Sequence, residues 1–215
     1  MSDDRPLEPP TPVAVNSPSA RHIGVAVRHG VRLGAAGLLA GVAAGAVAGL
    51  GARVAMLLVR LMNPAYNGIV THAGYEVGQV TVGGTVALMA QGVVTGIPGA
   101  LMYLVARPWI PGRGARKGLA FGLVLMVVTA PVVLDGNYEF FRYVPTWISV
   151  LLFVLLYPLY GIVVSPVTER LGAGTPGPPR NPAVAWAGYV LLAGAVVWFA
   201  LQDFFLLRDV FQLYG

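Results

Sequence analysis

Residues 34–52 read GAAGLLAGVAAGAVAGLGA, nineteen positions without a charge or a strongly polar side chain. Gly37, Gly41, Gly45 and Gly49 recur every fourth residue, and Ala36, Ala40, Ala44, Ala48 and Ala52 run beside them. In water each such glycine costs a helix about 1 kcal/mol relative to alanine. In a bilayer the backbone has no other source of hydrogen bonds, so the helix forms regardless. Small residues at this spacing also let a second helix approach closely. The stretch therefore predicts a transmembrane helix whose packing face is Gly37, Gly41, Gly45 and Gly49.

The rest of the chain carries the same signature. It is 56% hydrophobic and only 11% charged, against roughly 25% charged in soluble domains. The predicted fold class is therefore all-α, a polytopic transmembrane bundle. Five spans are expected, at about 33–62, 80–106, 118–134, 144–164 and 183–202, forming one helical domain over 31–215. Ahead of it, residues 1–30 read as a disordered tail. The first twenty hold five prolines and too little apolar surface to order themselves. Arg21, Arg28 and Arg32, with His22 and His29, make a basic collar at its end.

Loops fill the intervals. Asn63-Pro64 stops the first span, and a short hairpin around Ala73-Gly74 is expected after it. RPWIPGRGARK, 107–117, reads as a solvated loop at anionic headgroups, with Lys117 snorkelling at its end. Residues 165–182 read as a Pro/Gly linker, and the chain closes on a short tail from Asp203.

With the N-terminus in the cytoplasm, five spans leave the C-terminus outside. Ten of the fourteen Lys/Arg then lie inside: Arg5, Arg21, Arg28, Arg32, Arg107, Arg113, Arg116, Lys117, Arg170 and Arg180. Arg53, Arg60, Arg142 and Arg208 fall at the other side. That asymmetry is what the positive-inside rule requires. The Arg-over-Lys and Ala/Gly/Val bias suggests a GC-rich bacterial genome, so the expected location is the cytoplasmic (inner) membrane. The net charge of +5 is absorbed by these short loops, and no nucleic-acid partner is expected.

Chemistry-bearing residues are few. Arg53, Arg60, Asp135 and Glu139 should gather near the outer side, at the ends of spans 1 and 3. They form the candidate polar or ion-pair site, because ionisable groups facing a bundle interior are functional candidates by default. His72 and Glu76 are four apart but lack a third ligand, so no metal is expected. No P-loop, H-E-x-x-H or paired nucleophile and base appears, and neither a catalytic residue nor a cofactor is expected.

The leading expectation is a structural or accessory membrane protein. It would pack through the glycine ladder with the lipid bilayer around it, against a second copy or a larger membrane partner. The alternatives are a small transporter or channel with a polar path near Gln91 and Thr95, and a membrane enzyme acting at the outer face.

Overall fold

The computed structural model describes residues 18–70, 80–135, 146–172, 179 and 181–214. Its five α-helices are α1 (Pro18–Met62), α2 (Val82–Ala106), α3 (Gly114–Asp135), α4 (Thr146–Gly172) and α5 (Pro182–Tyr214), with a 3-10 turn at Pro64–Tyr66. Residues 1–17 and the hairpin expected around Ala73-Gly74, with His72 and Glu76, lie outside the described residues.

Four segments are long and apolar enough to cross a membrane: Val27–Met62, Val82–Ala106, Val150–Gly172 and Pro182–Asp209. The all-helical class is as the sequence predicts, but four helices run further than expected, α3 because Gly114–Lys117 of the expected loop form its first turn. Helix α1 begins at Pro18 and takes the basic collar into its first turns. Its 45 residues make it about 67 Å long at 1.5 Å per residue. Helix α4 continues through Pro166 to Gly172, where a linker was expected. Proline removes one backbone donor, but Ser165 and Glu169 on either side are held by bonds to neighbouring elements, which keeps the last turns in place. Helix α5 continues past Gln202 to Tyr214, so the predicted tail is helical.

Helix α1 is the centre of the bundle. One face lies along α2 and another along α4; α4 pairs with α3, and α3 carries α5. The glycine ladder faces α2. A Cβ added at Gly41 would meet the Gly96 carbonyl, one at Gly45 the Gly92 carbonyl, and one at Gly49 the Leu88 carbonyl. Gly37 is covered by the Leu104 side chain. Numbers rise on α1 as they fall on α2, so the two helices are antiparallel. A second seam joins α3 to α4, where Gly118 abuts Gly161 and Gly122 abuts the Tyr157 carbonyl. Backbone contact at this range brings Cα–H groups onto facing carbonyls, a weak attraction repeated at each step.

Between the seams sits a buried cluster that includes Ala40, Ala44, Ala100, Tyr103, Phe121, Tyr160 and Val164. The Tyr103 and Phe121 rings meet edge to face, with centroids 5.0 Å apart. The Tyr160 hydroxyl, 2.6 Å away, donates to the Gly96 carbonyl. This bond sets α4 against α2 beside Gly99, where a Cβ would strike the same hydroxyl. Tyr160→Phe is expected to cost about 1 kcal/mol, the net worth of one such bond. Thermal melting in detergent measures it, and an unchanged midpoint would remove this bond from the account.

Helix α5 is held differently. None of the residues in its apolar stretch is buried. Its close approach is at Gly188, against which the Trp109 indole lies. Trp186, Val190, Leu191, Trp198, Phe204 and Phe205 are all exposed.

Candidate functional site

The helix directions bring the starts of α3 and α5 and the ends of α2 and α4 to one end of the bundle. Arg32 reaches the same level, its Nε donating to the Leu171 carbonyl at 3.3 Å. Here the chain builds a buried polar cluster from two separate stretches, Tyr103 to Lys117 and Ser165 to Glu169.

The connection between α2 and α3 turns sharply, with positive φ at Gly112 and Gly114 (101° and 54°), a region that glycine enters without strain. That turn delivers the first N–H of α3 to Glu169 of α4: Gly114 N donates to Oε2 at 3.1 Å. A carboxylate at a helix N-terminus satisfies an orphan donor and complements the positive end of the helix dipole. The Ser165 hydroxyl donates to the Gly114 carbonyl at 3.0 Å. The Tyr103 hydroxyl lies 2.8 Å from Ser165 Oγ and 3.2 Å from Glu169 Oε1. With the serine proton on Gly114, the single tyrosine proton is shared between those two acceptors.

Lys117 completes the cluster. Its Nζ lies 3.9 Å from Glu169 Oε1, with its side chain 1% exposed. Lys117 precedes the apolar run of α3. Burial pushes its ammonium below the ordinary lysine value; Glu169 opposes that shift and Arg107 adds to it. Arg107 caps α2 and is 7% exposed. Lys117 and Arg107 are thus enclosed by protein, where a solvated loop and a snorkelling lysine were expected. The reason is Glu169, which gives the lysine a partner inside.

Chemically this is a clasp. Ser165 is fully buried, and its hydroxyl is committed on both sides. The Glu169 carboxylate is already shared among a backbone donor, a phenol and an ammonium. The arrangement fixes the turn between α2 and α3 onto α4.

The residues singled out from sequence lie elsewhere. Gly37, Gly41, Gly45 and Gly49 line the α1–α2 seam. Arg53 sits beside the first turn of α2, its guanidinium next to Gly84, whose N–H is taken by Thr81 Oγ1 at 3.1 Å. Arg60 is half-buried further along α1. Asp135 is the last residue of α3; its side chain, like all of Glu139, lies outside the described residues. Gln91 and Thr95 are exposed on α2, and Thr95 donates to the Gln91 carbonyl of its own helix at 3.0 Å. Among the described residues, no three His, Asp or Glu gather as metal ligands.

Two features escaped sequence reasoning. The Tyr103–Ser165–Glu169–Lys117 cluster left no local signal, because its members are close only through tertiary packing. Asp203, expected to open the tail, lies within α5 with Oδ1 buried and without a hydrogen-bond partner among the described residues. Its signal was readable: the apolar run of the last span resumes at Phe204 and continues past it.

Comparison with protein-family models, with curated proteins and with solved structures finds no match to this chain.

Proposed function

We propose that this chain is a five-span integral membrane protein of a bacterial cytoplasmic membrane, with the N-terminus inside, serving as a structural or accessory component. The membrane reading is supported by an inverted surface. Exposed Leu or Val occurs on every helix, joined by Trp and Phe on α5, while the interior includes small alanines and the polar groups of Lys117, Ser165 and Thr168 beside Tyr103, Phe121 and Tyr160. A water-soluble monomer rarely exposes so much contiguous apolar area. Helix α3 supplies the fifth span.

The observation that carries the accessory reading is the unequal use of the helices. The α1 ladder is occupied by α2 of the same chain, so association through it would first have to break the fold. Helix α5, in contrast, is attached mainly through α3 and Trp109 and leaves its aromatic side chains outward. A second copy or a larger membrane protein would meet the chain there. Purification in mild detergent with mass spectrometry of what co-purifies tests this. A stoichiometric partner or a defined homo-oligomer is expected; a monomer that brings down nothing overturns the accessory role.

Orientation is tested on a chain that is naturally free of cysteine. Gly68→Cys is expected to react with an impermeant maleimide in intact cells. Ala115→Cys should react only after lysis. The reverse pattern would invert the topology.

A further inference from the structure

We infer that the basic end carries a phosphate-binding site centred on Arg107, occupied by the headgroup of an anionic phospholipid from the adjoining leaflet. The inference rests on the membrane reading above.

Arg107 is more than nine-tenths buried, and its Nη1 is closed off from solvent with no hydrogen-bond partner among the described residues. The carboxylate of the cluster is already engaged. Glu169 Oε2 takes the Gly114 N–H, and Oε1 serves Tyr103 and Lys117. Two enclosed cations, Arg107 and Lys117, thus lie at an end of the bundle where the one described carboxylate, Glu169, pairs with the lysine. A guanidinium taken out of water without a counter-charge is strongly unfavourable. The C-terminus of α2 offers only a partial negative charge. The site is short of one anion.

Phosphate fits better than a second carboxylate from the chain, because the described residues at this end offer no other acidic side chain near Arg107. The planar guanidinium fork binds phosphate oxygens bidentately. Position names the source. Arg107 directly follows the apolar Val82–Ala106 segment, the depth at which headgroups lie. Arg113 on the same connection and Arg116 in the first turn of α3 are exposed and raise the local concentration of anionic lipid. Because Nη1 is enclosed, binding requires a small shift of the 107–113 turn.

The test uses the full chain, purified in mild detergent and stripped of lipid. Native mass spectrometry and thermal melting are run with phosphatidylglycerol, with phosphatidylcholine and with inorganic phosphate. The expected result is retention of phosphatidylglycerol, with a melting point raised by that lipid and not by phosphatidylcholine. Arg107→Gln should weaken the lipid effect at least tenfold. Arg113→Gln with Arg116→Gln should weaken it only modestly. If Arg107→Gln does not fold, Arg107→Lys serves, since it keeps the charge and loses the fork; the phosphatidylglycerol effect should again fall. Equal effects of both lipids, or wild-type response in the Arg107 variant, would overturn the site. Stabilisation by inorganic phosphate with no lipid retained would overturn the lipid as occupant. Alkaline extraction of native membranes separately tests the membrane reading: release of the chain there defeats that reading, whereas loss of the lipid effect alone defeats only the site.

Discussion

Gly45→Leu is expected to abolish the folded bundle. A Cβ at Gly45 would occupy the place of the Gly92 carbonyl, and the atoms in its way are backbone, which cannot rotate aside. The two helices would have to separate along the whole ladder, since Gly41 and Gly49 meet the α2 backbone in the same way. Overpacking a core that can partly adjust costs about 1–3 kcal/mol. Here separation also forfeits the contacts of the neighbouring steps, so the loss should exceed that range. Against the marginal stability of folded proteins, about 5–15 kcal/mol, this leaves little or no folded protein. The control is Gly34→Ala, on the same helix two turns before the seam tightens. Nothing lies within 4 Å of a Cβ there, and alanine favours a helix by about 1 kcal/mol over glycine. Gel filtration and melting in detergent compare the two. If Gly45→Leu stayed folded and merely changed oligomeric state, the ladder would be an intermolecular surface instead.

The second large effect is expected at Glu169. Glu169→Ala removes the acceptor of the Gly114 N–H and of the Tyr103 hydroxyl, and leaves the Lys117 ammonium enclosed without its partner. Breaking one side of a buried ion pair costs about 3–5 kcal/mol. Glu169→Gln should be milder, because its amide oxygen still accepts a hydrogen bond while the charge is lost. Lys117→Met should be milder as well, since the carboxylate keeps Gly114 and Tyr103. Combining Glu169→Gln with Lys117→Met should cost less than the sum of the two, by the 0.5–3 kcal/mol typical of coupled neighbours, roughly. Equilibrium unfolding of the four proteins gives the cycle. Strict additivity would mean that the lysine and glutamate do not sense each other.

The sequence by itself determined the class, a bundle of long apolar helices with a small-residue face on the first. Both follow from local physics. Hydropathy over twenty residues separates bilayer from water, and a four-residue glycine period places every Gly of the ladder on one side of a helix. It also determined which loops are basic. What it did not determine was the partner of each face. Glycine at 37, 41, 45 and 49 licenses close approach by any helix, and only the fold selected α2, whose own Gly92 and Gly96 match it. Helix ends were misread where tertiary bonds override local signals. Pro166 suggests a linker, yet Ser165 and Glu169 are held across the bundle and the helix continues to Gly172. Lys117 reads as a headgroup contact until Glu169, fifty-two positions later, is folded beside it. The polar clasp and the enclosed Arg107 belong wholly to the tertiary structure, because burial and hydrogen-bond satisfaction are properties of a three-dimensional neighbourhood and have no period along the chain.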